Sequence, residues 1–277
     1  MAKCDLCGQD AGLLRKRHKE CEARLQEGSA KIAALAREAA LAWRLPESFQ
    51  SEATQIASES FISGFQLYEL FVTGFEQAVE AALGDGVLSQ EEENSLQTFC
   101  KALSLSQGDV DRAGAYTRLV KAGVIRDILE GKVPDRFKVS ADLPFNLQKG
   151  ETLIWLFQQV KYYEERTTIK RQGSYQGVSL RIFKGVYYHI GGFRSEPVPV
   201  TQVVGDIGVL GITNKHIYFF GPAKSFRIAY SKIVSIAPYS DGIVIQRDSA
   251  SAKPQIFVTG DGWFTHNLVS NLTRSAA

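Results

Sequence analysis

The chain changes its hydrophobic period partway along, and that change restricts the fold more than any other feature. Phe61, Phe65, Tyr68, Val72, Phe75, Val79 and Ala82 recur at alternating steps of four and three, the spacing of a helix with one buried face. Past Pro134 and Pro144 the period falls to two. Val178, Leu180 and Ile182 alternate with Ser179, Arg181 and Phe183, and similar short runs follow at GVLGIT, HIYFFG, SFRIAY, KIVSIAPY, GIVIQR and QIFVTG. A sequence patterned for one period does not sit in the other element, so the class is α+β, helices first and strands second.

Punctuation sharpens both halves. SAKIAALAREAALAWRL, Ser29 to Leu45, is built from strong helix formers and stops at Pro46. Gly84, Asp85 and Gly86 break the periodic helix, and Ser89 with Glu92 makes the S-x-x-E capping box of the next, SQEEENSLQTFCKALSL. Two further helices are expected over 107–122 and 123–130. In the second half, Asn214-Lys215 and Asp241-Gly242 are hairpin-type turns. Strands this short and closely spaced point to an antiparallel sandwich or barrel, and Phe264, Leu268, Val269 and Leu272 mark a final amphipathic helix that covers one end.

Charge segregates along the chain. Residues 1–24 carry six Lys/Arg and four Asp/Glu, residues 25–149 carry 12 and 18, and residues 150–277 carry 14 and 8, giving +2, −6 and +6. Two folding units with different surfaces explain the change of sign near residue 150, so we expect an N-terminal module at 1–24, a helical domain at 25–149 and a β domain at 150–277. No apolar run reaches the ~18 residues of a membrane span. Nor does the N-terminus have the apolar stretch of a signal peptide, so the expected location is cytoplasmic.

Three of the four cysteines lie within the first 21 residues, as Cys4-x2-Cys7-x10-His18-x2-Cys21. Zinc takes four N or S ligands in a tetrahedron, and a C-x2-C knuckle followed by a second ligand pair supplies them. Gly8 permits the tight turn after the knuckle, and His18 and Cys21 share a face at a helix start. Against a chance cluster of reduced thiols, this concentration of Cys and His favours a zinc finger with Cys4, Cys7, His18 and Cys21 as ligands. All four positions are filled by protein, so the zinc is expected to be structural. Arg15, Lys16, Arg17 and Lys19 raise nucleic-acid binding as a function. Three thiolates on one zinc ion leave the loaded segment only about +1, which favours a protein contact or plain stabilisation.

The stretch LGDGVLSQEEE, Leu83 to Glu93, invites comparison with a calcium loop, but Ala81 and Leu83 fall where oxygen ligands belong. It resembles instead the acidic turn of TerB-like (tellurite-resistance) helical domains, over about residues 50–130. In the second half, Gly208-Val-Leu-Gly-Ile-Thr-Asn-Lys-His-Ile-Tyr-Phe-Phe220, followed by Lys224 to Tyr230 and Lys232 to Ile236, resembles the pleckstrin-homology superfold in its GRAM branch and bacterial relatives. That likeness covers about residues 150–275. It implies a bent antiparallel barrel closed by a C-terminal helix, without catalysis, that binds lipids, peptides or protein surfaces. Arg181, Lys184, Arg194, Lys215, Lys224 and Arg227 are the candidates for an anionic-ligand patch.

Catalytic motifs are missing: no G-x-S-x-G, H-E-x-x-H, P-loop or G-x-G-x-x-G occurs. The glycines at 205, 208 and 211 flank a hairpin strand and cradle nothing. His189 and His216 read as surface or packed histidines, and Cys100, in LQTFCKAL, as an inert thiol. The expected function is that of a non-enzymatic adaptor with a structural zinc site, contacting protein or an anionic ligand, in a bacterial stress or defence setting where TerB-like modules occur. A nucleic-acid binder and a peripheral binder of anionic membranes are the alternatives.

Overall fold

A computed structural model describes residues 3–12, 15–84, 86, 88–136, 143–171, 180–183, 186–188, 197–249 and 252–275, with side chains outside 165–204. The chain divides into two units, Met1–Lys132 and Val133–Ala277.

In the first unit the described helices are α1 (Lys19–Leu41), α2 (Phe49–Glu59), α3 (Gly64–Ala82), α4 (Gln90–Ala102), α5 (Gln107–Val110) and α6 (Ala115–Leu129). Helix α1 begins well before Ser29, because Gly28 is kept inside it by packing: a Cβ there would lie 2.2 Å from Ser60 Oγ. Helix α2 carries mostly polar residues and is held by Phe49, Ala53 and Ala57, spaced by four on its buried face. Helix α3 starts one residue after Ser63, whose hydroxyl accepts from Gln66 N while Gln66 Oε1 accepts from Ser63 N at 2.8 Å. Of the predicted stripe, Val72, Phe75, Val79 and Ala82 are buried and Tyr68 is half-buried. Phe65, however, is 74% exposed. Near its start α3 turns a different face inward, where Leu67, Leu70 and Phe71 pack against Ile32, Ala57 and Ile62.

The main core of this unit joins Ala36, Ala39 and Ala40 of α1 to Phe75, Ala78 and Val79 of α3, with Phe49, Leu96 and Phe99 beside them. Small residues let α1 and α3 approach closely; a Cβ on Gly74 would lie 2.4 Å from Ala36 Cβ and 2.9 Å from Arg37 N. Ser89 caps α4 as its sequence predicts, accepting from Glu92 N at 3.1 Å. The break between the last two helices falls at Gly114, in the left-handed region with φ 72°, and Gly123 is buried inside α6. Glu93 and Arg126 form a buried ion pair, with Arg126 Nη2 donating to Glu93 Oε2 at 2.7 Å and Arg126 Nη1 to Ser89 O at 3.1 Å.

The second unit contains β1 (Leu153–Arg171), β2 (Leu180–Phe183), β3 (Val186–Tyr188), β4 (Pro197–Thr213), β5 (His216–Phe220), β6 (Ser225–Ala229), a 3-10 turn at Tyr230–Lys232, β7 (Ile233–Pro238), β8 (Gly242–Arg247), β9 (Gln255–Val258) and α7 (Gly262–Ser275). Seven strands make one open antiparallel sheet in the order β6-β5-β4-β1-β9-β8-β7, and β2 with β3 makes a separate ribbon. The two long strands pair from Leu153↔Thr213 to Arg171↔Pro197, with a register shift between Phe157 and Val160 where Gln159 takes φ 54°. Tyr162, Phe219 and Phe257 fill the interior, and Phe264 of α7 meets Trp155 edge-on at 4.6 Å. The buried residues of α7 are Gly262, Phe264, Thr265, Leu268, Val269 and Leu272, which include the four predicted apolar positions.

Candidate metal centre

Residues 3–10 fold back on themselves through an antiparallel bridge between Lys3 and Asp10. Within that turn Cys4 N donates to Gln9 O at 2.7 Å and Gly8 N to Cys4 O at 2.9 Å, while Gly8 takes φ 73°. Only a residue without a Cβ adopts that backbone cheaply, so Gly8 fixes the knuckle that sets Cys4 and Cys7 side by side. The second ligand pair comes from α1. His18 is its N-cap and Cys21 lies in its first turn, and Asp5 N donating to Lys16 O at 3.0 Å ties the two segments together.

The four ligand atoms lie within 4.8 Å of one another, near enough to hold one metal ion. Cys7 Sγ is 3.3 Å and Cys21 Sγ 3.7 Å from His18 Nδ1. Tetrahedral zinc with bonds of about 2.3 Å to sulfur and about 2.0 Å to nitrogen needs ligand separations of roughly 3.5–3.8 Å, so the cluster fits with small adjustments. His18 Nε2 stands 2.9 Å from Asp10 O. A carbonyl can only accept, so Nε2 carries the proton and Nδ1 turns its lone pair toward the sulfurs.

The metal-free electrostatics are uneven. The Cys7 backbone N–H is the chief influence on Cys4 and lowers its pKa to about 6, against the effect of burial. Burial first, and then the neighbouring Cys7 thiol, push Cys21 up to about 11. The hydrogen bond to the Asp10 carbonyl, then that to Cys7, raises His18. A divalent cation at the centre favours all three thiolates, which makes metal uptake release protons.

The other residues singled out in the sequence are placed less uniformly. Lys184, Arg194 and His189 lie outside the described residues, as does Asp85 of the acidic turn, and Arg181 is described only by its backbone in β2. Lys215 and Lys224 stand at opposite ends of the β5 hairpin, with Arg227 opposite Tyr218 between them. Lys215 Nζ donates to Lys149 O at 3.0 Å, and Lys224 pairs with Glu164. Glu92, an acid in the calcium-like stretch, is occupied by the Ser89 cap. Burial pushes the Cys100 thiol up to about 12, as an inert thiol requires.

A polar cluster that spacing did not disclose surrounds Glu151. Its Oε1 accepts from Thr213 Oγ1 at 2.5 Å and faces His216 Nδ1 at 2.9 Å, and its Oε2 accepts from Gln148 N and Tyr218 OH, each at 2.8 Å. Tyr230 OH adds a bond to Thr213 O at 2.6 Å. These partners lie 62 to 67 residues apart in sequence, apart from Gln148, so no local pattern points to them.

No protein-family model matches the sequence, and comparison with curated proteins finds no match. No described helix is long and apolar enough to cross a membrane.

Proposed function

We propose that the chain is a non-enzymatic adaptor whose N-terminal Cys4, Cys7, His18 and Cys21 bind a structural zinc ion. The observation that carries this reading is the closed ligand set: four protein donors within 4.8 Å, with the histidine tautomer fixed by the Asp10 carbonyl, and no position left open for a substrate. The helical segment 25–149 is read as a TerB-like domain and the segment 150–277 as a pleckstrin-homology-like domain of the GRAM type. Support for the second comes from the antiparallel seven-stranded sheet followed by an amphipathic helix. In this reading the bent sheet closes toward a barrel, and the protein surfaces of both domains contact a protein partner in a bacterial stress or defence setting.

A pull-down from native cells tests the adaptor reading, using the full chain and a version lacking residues 1–24, with both protein and nucleic acid read out. A protein partner retained by the full chain is the expected result. Recovery of nucleic acid alone, in a manner that falls steeply with salt, overturns it in favour of nucleic-acid binding.

A further inference from the structure

Strands β1 and β4 pair far beyond the rest of the sheet. Their register runs unbroken from Val160↔Gly208 to Arg171↔Pro197. On one side β9 stops at Gln255, opposite Glu164, and on the other β5 stops at Phe220, opposite Val209. Among the described residues, 165–171 and 197–203 therefore pair only with each other, as a two-stranded ribbon with both outer edges unpaired. A ribbon of two strands is marginal in water, and an open edge is a template for another strand.

The two edges are not alike. In an antiparallel pair each residue turns its N–H and C=O to the same side, and successive residues turn them to opposite sides. Pro197 and Pro199 have no N–H to give to the ladder and stand opposite Arg171 and Ile169. Ile207, in the same phase, donates its N–H to Asp206 Oδ1 at 2.9 Å. These β4 positions face away from β1, and so their opposite numbers on β1, in the phase of Glu165, Thr167, Ile169 and Arg171, face away from β4. The outer edge of β4 is thus blunted by two prolines and by Asp206, while that of β1 offers a backbone donor and acceptor at every outward position.

We propose that the open edge of β1, 165–171, pairs with the same edge of a second copy of this chain, joining the two ribbons into one across a two-fold axis. A single open edge per chain favours a second copy: like edges meet antiparallel and close at two, whereas two open edges would pair head to tail and propagate. The sequence agrees with that direction. ERTTIKR begins at Glu165 and ends at Lys170-Arg171, so antiparallel pairing brings the acidic start of each copy to the basic end of the other. Between them Thr167, Thr168 and Ile169 are strand formers. Three basic positions against one acidic leave each edge positive overall, an excess that physiological salt screens. The inference goes beyond the adaptor reading and uses no metal ligand, so either can fail alone.

The test is sedimentation velocity of the full chain at about 0.15 M salt, over concentrations from about 1 to about 100 μM. A monomer–dimer equilibrium is expected. Ile169→Pro should weaken it about tenfold or more, because it removes an outward N–H and leaves the ladder to β4 intact. Thr201→Pro makes the same change on the outer edge of β4 and should dimerise as the parent does. Hydrogen exchange on the parent answers the question even where Ile169→Pro folds poorly: the amides of 165–171 should exchange more slowly at the high concentration than at the low one. A chain that stays monomeric at about 100 μM, a dimer that responds equally to the two proline variants, or exchange in 165–171 that ignores concentration overturns the proposal.

Discussion

Replacing Glu151 by Ala tests whether the buried cluster at the start of the sheet holds the second unit together. The Glu151 carboxylate is fully buried in its side-chain atoms, and it receives donors from three separate parts of the chain. The loss is unequal among them. Tyr218 OH donates only to Glu151, and Tyr218 is buried, so its hydroxyl becomes an orphan donor. Thr213 Oγ1 can turn to His216 O, already at 2.9 Å, and is largely rescued. Gln148 and His216 are less deeply buried and can recruit water. One orphaned hydroxyl plus one or two weakened charge-assisted bonds gives about 2–4 kcal/mol of destabilisation. Urea unfolding of the full chain, followed by fluorescence of the buried Trp155 in the same unit, measures it. A loss below about 1 kcal/mol would refute the argument that this carboxylate is an obligatory acceptor.

The same group sets a pH dependence. Burial raises the Glu151 pKa, but hydrogen bonds from Thr213, Gln148 N, Tyr218 and His216 outweigh it and leave it below the ordinary 4.5. The unfolded chain therefore binds the proton more readily than the folded one. The stabilisation is complete above pH 4.5 and disappears as pH falls through the lower folded value. The stability difference between the parent and Glu151→Gln should therefore shrink on acidification below that point.

Two further outcomes follow from the first unit. The purified protein should carry about one zinc per chain, and Cys7→Ser should lose it by elemental analysis; equal metal content in the variant rules out the proposed ligand set. Gly74→Ala should destabilise by about 1–3 kcal/mol in thermal unfolding, because its methyl group meets Ala36 Cβ at 2.4 Å and the backbone of Arg37 at 2.9 Å; a gain in stability, the usual result at a roomy helical glycine, would show that α1 and α3 can separate freely.

What the sequence disclosed depended on whether the information was local. The helix start at Ser89, the stop near Ala82 and the runs that became β5, β6, β8 and β9 all rest on neighbouring residues. Strand β1 escaped notice because the register shift at Gln159 interrupts its alternation. Helix α2 escaped because its buried face is mostly alanine, which carries little hydrophobic signal. Phe65 falls off the buried stripe because α3 buries different faces at its two ends, which a single helical period does not express. In the metal centre, residue type and spacing name the ligands, but the group that orients His18 is a backbone carbonyl, which any residue at position 10 would supply. The Glu151 cluster is assembled by sheet pairing across long separations, where no short motif forms.

The position of the four candidate ligands would give a bound metal a reach beyond the first two dozen residues. His18 is the N-cap of α1 and Cys21 sits in its first turn. From there the helix runs without interruption to Ile32, buried against Ala57 and Ile62, and to Ala36, in contact range of Gly74. Between the cluster and Ile32, α1 packs inward through Gly28 and through the half-buried Leu25, which meets Ile32, Ala57 and Ile62. Residues 22–24 are exposed, so the turn of α1 before Leu25 would be held chiefly by a metal bound at its start. A zinc ion held by His18 and Cys21 would pin the start of α1, and its loss should fray the helix toward Leu25 while the core between α1 and α3 persists.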